Sequence, residues 1–281
     1  MTAMRTRRIE QLRPQEILAE IERCPVVYWP LGLIEWHGPH LPTGTDALNA
    51  EAAARLAAEK GGGLVMPPLY GGTERERPPQ MLHWLGFEGD EWIVGMDFPA
   101  NTLPSLYIPE EVFALIVRAN LPLLADLGFQ LAVLLTGHAA ENQLQVLERL
   151  AAEFNEKGPI QVVVALPFTA GEDGVLKVGH ASRVETAAMM ALHPETVDLA
   201  ALPPESEPLR NTDWAIVDYA TFVGRPTADH TVRADDDPRH ATARSGQANL
   251  ERAVEAILSQ VKERVNRSAH YKHTSIGGHN V

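Results

Sequence analysis

The stretch Leu33-Ile-Glu-Trp-His-Gly-Pro-His-Leu-Pro-Thr-Gly-Thr-Asp46 concentrates side chains that do chemistry. Glu35 and His37 stand two residues apart at the end of an apolar run, Val26 to Ile34, that reads as a buried strand, so both project to one face. Gly38-Pro39 and Pro42-Thr43-Gly44 can turn the chain back and carry Asp46 toward them. A carboxylate, an imidazole and a second carboxylate meeting at a strand end form a donor set for a divalent cation. The same residues admit a plainer reading, with His37 a hydrogen-bonded structural residue and Asp46 the cap of the helix that begins there.

Two further segments share this character. Leu131 to Thr136 is another apolar run, ending in Gly137-His138 and passing through Ala139-Ala140-Glu141 into a helix. Gly179-His180-Ala-Ser-Arg-Val-Glu185 sets His180 and Glu185 on either side of a helix start. In open α/β sheets ligands bind at the carboxyl edge of the strands, so three histidines and three carboxylates can meet in one crevice. Carboxylates that close repel one another unless one is protonated or cations intervene. Two divalent ions would restore balance, lower the pKa of a shared water and polarise a carbonyl oxygen. Oxygen and imidazole donors suit zinc, the first candidate, and also manganese or iron. His180, whose ordinary pKa is about 6.5, is the candidate proton donor to a leaving group; its alternative is a helix-start hydrogen bond. His40 either orients a ligand or is a loop histidine. Trp36 alternates with Glu35 and His37 and should face away from them, into packing.

The elements that must position these groups alternate. Strands are expected near 26–34, 64–69, 130–136 and 161–166, and helices near 14–23, 46–60, 109–127, 142–156, 183–192 and 247–266. That order predicts an α/β fold with a mostly parallel sheet covered on both faces. Residues 203–246 read as a long polar excursion, in which Thr227-Ala-Asp-His230-Thr and the acidic run from Asp235 are solvated loop. The tail after Asn266 shows no regular pattern, and one domain suffices for 281 residues.

With Glu35-Trp-His37-Gly-Pro-His40-Leu-Pro and Asp46, Thr136-Gly-His138, His180-Ala-Ser-Arg-Val-Glu185-Thr and Phe98-Pro-Ala-Asn-Thr-Leu in the same order, the chain resembles the creatininase (creatinine amidohydrolase) superfamily. The resemblance covers roughly residues 25–200. It implies a two-metal hydrolase, a three-layer α/β/α sandwich and a homo-oligomer, commonly a hexamer. It also implies that Asp46 bridges the metals, that Glu35 and His138 complete one site, and that His37 serves the other with Glu185 as the remaining ligand. Creatininase has a ligating Glu two positions after the His of its Gly-His motif, and many relatives have Gly-Gly-Asn there. Ala139-Ala140-Glu141-Asn142 departs from both patterns, which leaves Glu141, three positions on, as the nearest counterpart and a second catalytic candidate.

The family's reactions are mostly hydrolyses of cyclic or small amide-like C–N bonds, and one branch opens keto-inositols at a C–C bond. Residues 70–107 are the distinctive segment, where Arg75, Arg77, His83, Trp84 and Trp92 suit either a polar ring substrate or an oligomer contact. The reading is therefore hydrolytic ring opening of a small cyclic substrate, with keto-inositol hydrolysis as the alternative and a non-catalytic metal-binding protein as the rival. A formal charge of −13 argues against nucleic-acid or anionic membrane partners. No apolar run approaches the roughly 18 residues that span a bilayer. The basic N-terminus lacks an apolar signal core, and the single Cys24 fits a reducing compartment, so a cytoplasmic location is expected.

Overall fold

The computed structural model describes residues 4–99, 101, 103–169, 179–207, 209–211, 216–217 and 236–275. Strand β1 (Val26–Gly32) is flanked on one side by β2 (Leu64–Val65) and β3 (Leu69–Tyr70), and on the other by β4 (Leu131–Thr136), with β5 (Gln161–Ala165) outside β4. All pairs are parallel; Val26 to Leu31 runs in register with Leu131 to Thr136. The strand expected over 64–69 is two short pieces, because Val65 lies opposite Tyr28 and Leu69 opposite Leu31. Between them Pro67 and Pro68 offer no N–H, and neither does Pro30 on the facing strand.

The alternating residues of the buried strands face two apolar layers. Val27, Trp29, Leu31, Ala132 and Leu134 pack with Phe113, Val117, Leu121 and Leu124 of α4 (Glu110–Asp126) and Val146, Leu147, Leu150 and Phe154 of α5 (Glu141–Lys157). Val26, Tyr28, Val133 and Leu135 pack with the alanines of α2 (Thr45–Gly61) and with Leu250, Val254, Ile257 and Val261 of α7 (Ala243–Ser275). The result is three layers, helix, sheet and helix, as expected. Helices α1 (Pro14–Arg23) and α6 (Arg183–Leu192) have the expected bounds.

Two helices differ from expectation. A short α3 (Pro79–Trp84) lies in the segment read as irregular; six residues are too few to show a 3.6-residue period. Helix α7 begins at Ala243, inside the expected excursion, and runs past Asn266 to Ser275. No Gly or Pro interrupts Asn266 to Ser275, so nothing in the sequence stops the helix there. Within the excursion, β6 (Arg210–Asn211) and β7 (Ile216–Val217) pair antiparallel, while residues 227–231 and 235 lie outside the described residues. Among the described residues no helix is long and apolar enough to cross a membrane.

Candidate metal centre

From β1 the chain leaves in one direction through α2 to β2, and from β4 in the other through α5 to β5. The crevice between the carboxyl ends of β1 and β4 is therefore the point where strand order reverses, the place where open α/β sheets bind ligands. Glu35 and His37 follow β1, His138 follows β4, and Asp46 sits in the first turn of α2 beside them. The close approach of α2 depends on Gly137, whose N–H donates to the Leu31 carbonyl at 2.9 Å. A methyl group on Gly137 would overlap the Asp46 carbonyl.

The six residues expected to converge do so, all deeply set. Asp46 divides its carboxylate: Oδ1 lies 3.1 Å from His37 Nε2 and Oδ2 3.3 Å from His138 Nδ1. Glu35 Oε2 lies 3.4 Å from His138 Nδ1 and 3.6 Å from His180 Nδ1. Glu185 Oε2 is 3.9 Å from His37 Nε2 and accepts from the Ala181 N–H at 2.6 Å. Ala181 has φ 52°, a left-handed conformation rare for a residue with a Cβ, and it turns the chain between His180 and Glu185.

Each imidazole turns one nitrogen to a backbone carbonyl: His37 Nδ1 to Glu35 O at 3.1 Å, His138 Nε2 to Thr73 O at 3.2 Å, and His180 Nε2 to Trp36 O. A carbonyl only accepts, so in the neutral ring that nitrogen carries the hydrogen and the other directs a lone pair at the carboxylates. Lone pairs facing carboxylate oxygens repel unless a proton or a cation lies between. Glu35 Oε2 and Asp46 Oδ2 are buried and have no hydrogen-bond partner. Both facts are what a cation would satisfy. Ligand atoms within 4.8 Å of one another form the sets Glu35–Asp46–His138, His37–Asp46–Glu185 and Glu35–His37–His180.

Burial and the facing charges shift the ionisable groups of the cluster. Burial works against a charged His37, but Asp46, Glu185 and Glu35 together raise its pKa to about 10. His138 is raised well above its ordinary value against burial by Glu35 and Asp46. Burial drives Glu185 up to about 8, reinforced by Asp46 and Glu35. Asp46 is held low against burial by the two imidazoles. His180 falls to about 4, from burial and from His37, whose ring centroid is 4.1 Å away.

The cluster floors a cavity of about 610 Å³ whose wall includes Glu74, Arg75, Glu76, Arg77, Met81, Met96, Glu141, Asn142 and Leu144. Glu141 belongs to this wall and not to the cluster; its Oε1 accepts from Gln145 Nε2 at 2.9 Å. Of the expected substrate-segment residues, Arg75 and Arg77 reach the wall, while His83, Trp84 and Trp92 do not. Trp36 packs with Leu82, Leu85, Ile93, Met96 and Phe98, as its alternation predicted. His40 is buried, with Nε2 3.0 Å from the hydroxyl of Thr186, the residue after Glu185; it braces α6 from outside the cluster.

Sequence reasoning missed four contributors. Tyr107 donates its hydroxyl to Glu35 Oε1. Thr73 supplies the carbonyl that orients His138, and Gln143 holds Thr73 in turn, accepting its N–H at 2.9 Å and donating to Thr136 Oγ1 at 2.9 Å. Asn142 donates to Thr73 Oγ1 at 3.4 Å. Only the contacts of Gln143 with Thr136 and His138 are local in sequence, and no residue pattern in the first turn of α5 marks them.

Fold and site together describe an α/β protein with a buried carboxylate–imidazole centre at the switch point of its sheet. The family model for creatininase, creatinine amidohydrolase, matches residues 10–261, and the chain belongs to that family of hydrolases. It is 25% identical over 259 residues to a creatinine amidohydrolase of Pseudomonas putida, across 85% of this chain and 89% of that one. It is also 25% identical over 190 residues to a 3-dehydro-scyllo-inosose hydrolase of Thermotoga maritima, across 64% of this chain and 54% of that one. The aligned region thus spans about half the length of the Thermotoga protein. A crystal structure of creatinine amidohydrolase superposes with a TM-score of 0.66 at 21% identity, covering 93% of this chain and 98% of that one. A manganese form of creatininase gives 0.64 at 24%, covering 92% and 99%, and a mutant creatininase of Zn-Zn type gives 0.63 at 23%, covering 93% and 99%. At these identities the superpositions establish the fold.

Proposed function

We propose that this protein is a binuclear metal-dependent hydrolase that opens a small cyclic substrate at a carbonyl carbon. The observation that carries the reading is the division of Asp46, with one oxygen in the set Glu35–Asp46–His138 and the other facing His37 beside Glu185. Charge points the same way. With the carboxylates ionised and the imidazoles neutral, as cation ligands would be, six carboxylates on the cavity surface face two guanidinium groups, an excess of four negative charges that two divalent ions would cancel. Zinc is the first choice and manganese the second, because oxygen and imidazole donors suit both and both occur in relatives.

When bound, such ions supply a water of lowered pKa and Lewis-acid polarisation of the substrate carbonyl. The remaining work falls to the chain. His180 turns Nε2 to Trp36 O, which only accepts, so its hydrogen sits there and Nδ1 directs a lone pair at the cluster. It therefore takes up the proton released by the attacking water and passes it to the leaving nitrogen, while oxygen adds to the carbonyl carbon and the C–N bond breaks. The acid role expected for His180 thus begins with a basic step. Glu141 stands on the wall where it can accept a hydrogen bond from substrate.

One observation favours the second reading, hydrolysis of a keto-inositol. Alongside its apolar residues the wall carries Glu74, Arg75, Glu76, Arg77, Glu141 and Asn142, groups that match the hydroxyls of a polyol. The deciding experiment loads the purified protein with zinc or manganese and assays creatinine and other cyclic amides beside 3-dehydro-scyllo-inosose. Turnover of either class that chelation abolishes and metal restores supports the hydrolase; turnover of neither, with two ions bound, refutes both substrate classes. We also propose a homo-oligomer, for which Val112, Leu115, Leu123 and Leu127 form an exposed apolar stripe along α4 and its end. Light scattering of a monomer at micromolar concentration would refute it.

A further inference from the structure

The segment Ser105 to Ile108 is laid against the chain that carries Glu35, and each of its contacts is a fixed one. Leu106 N–H donates to Ile34 O at 2.8 Å, Trp36 N–H to Ser105 Oγ at 3.2 Å, and Ile108 N–H to Gly72 O at 2.9 Å. The first two bonds bracket Glu35 on both sides and leave Tyr107 opposite it. The Tyr107 hydroxyl donates to Glu35 Oε1 and accepts from the Met96 N–H at 3.0 Å, so both of its hydrogen-bonding directions are used. Gly95 makes room for the phenol: its φ is +54°, and a Cβ there would overlap the Tyr107 ring and hydroxyl. Glu35 Oε2, by contrast, is buried without a partner and faces His138 and His180. One oxygen of Glu35 is thus tied down and the other left free.

We infer that Tyr107 is a positioning residue for the metal centre: by occupying Glu35 Oε1 it makes Glu35 a ligand through Oε2 alone, aimed at the ion shared with Asp46 and His138. The inference rests on the metal reading proposed above. Tyr107 touches neither substrate nor ion; it acts through the orientation of Glu35, as hydrogen-bond partners of ligands do in metal sites generally.

The test uses the full chain, stripped of metal and titrated with zinc against a competing chelator, in wild type and in Y107F, E35Q, Y107F/E35Q and G95A. Y107F removes one oxygen atom. It is expected to hold the ion of the Glu35–Asp46–His138 set roughly 10–100-fold less tightly than wild type, so that one of the two zinc ions is weakened and the other is not. G95A keeps the hydroxyl but displaces the ring, and is expected to reproduce the defect even if Y107F folds poorly. Because Tyr107 acts through Glu35, the double variant should lose no more affinity than E35Q alone. Two ions held by Y107F and G95A with wild-type affinity would overturn the inference while leaving the metal reading intact. So would an undiminished Y107F effect in the E35Q background. No zinc on the wild-type chain would overturn both.

Discussion

Asp46→Asn tests the shared ligand most directly. The change is isosteric, keeps the start of α2, and removes one charge used by two of the three cation sets, those assigned to the two proposed ions. Ligand binding to the folded state stabilises by RT ln(1 + [L]/Kd), about 2.7 kcal/mol per site at a hundredfold excess over Kd. For a protein of this size 1 kcal/mol moves Tm by roughly 2–4 °C, so each filled site should raise Tm by about 5–10 °C and both together by about 10–20 °C. Asp46 belongs to the sets of both proposed ions, Glu35–Asp46–His138 and His37–Asp46–Glu185, so Asp46→Asn should abolish nearly the whole rise, whereas Glu185→Gln, confined to the His37 side, should abolish about half. Comparing Tm with zinc and with chelator in each variant removes the separate cost of losing a carboxylate at a helix N-terminus, about 0.3–1 kcal/mol. Elemental analysis should give two ions per chain in wild type, one in Glu185→Gln and none above background in Asp46→Asn. An Asp46→Asn protein that keeps more than half of the metal-induced rise would refute the shared-ligand arrangement, as would a Glu185→Gln protein that loses all of it.

Three other outcomes are expected. His180→Ala should lower kcat by about 10²–10⁴-fold while two ions remain bound, the loss of a proton shuttle rather than a ligand; loss of an ion would reassign His180. Gly137→Ala should cost about 1–3 kcal/mol in denaturant unfolding, and more in the presence of zinc, because the methyl group drives Asp46 away from His138; an equal cost with and without zinc would separate Gly137 from the site. Glu20 is 4% exposed and accepts from Arg7 at 2.6 Å, from Arg23 Nε at 2.8 Å and from the Gly63 N–H at 2.7 Å. Burial raises its pKa, but Arg23, Gly63 and Arg7 more than reverse this, so the folded value lies below the unfolded one. Its stabilisation is therefore complete above the unfolded carboxylate pKa and is lost as pH falls through the folded value. Glu20→Gln should cost about 2 kcal/mol at pH 7, less than breaking a fully buried pair because Arg23 reaches water. That difference should shrink toward pH 3; a gap independent of pH would assign the cost to packing.

The parts of the site legible in the sequence are those where chemistry and local structure coincide. Glu35 and His37 share a face because they continue a strand, and His138 and Glu185 stand at strand-to-helix or loop-to-helix handovers. Helices α1 and α6 were readable to the residue because Pro14 opens one and Ser182, whose hydroxyl accepts from the Val184 N–H, caps the other. What was not legible is non-local. Tyr107 meets Glu35 across 72 residues from a stretch with no period at all. Glu141 is close to His138 in sequence, yet the first turn of α5 turns it toward Gln145 and the cavity wall. The break between β2 and β3 follows from prolines whose effect depends on Pro30 of the neighbouring strand, a pairing that no single segment displays.

The last helix has a consequence for biogenesis. Helix α6, which carries Glu185, has α7 as its principal packing partner, and α7 also lies beside α2 and covers β4 and β5 on that sheet face. A nascent chain that has emerged as far as Leu192 already contains every residue of the metal centre, but not the layer against which α6 is seated. Because metal affinity includes the free energy of ordering the ligands, such a chain should hold zinc far more weakly than the finished protein. On the metal reading proposed above, ion loading is expected to follow synthesis of α7, and a chain truncated after Leu192 should compete poorly for zinc against a chelator that the full chain outcompetes.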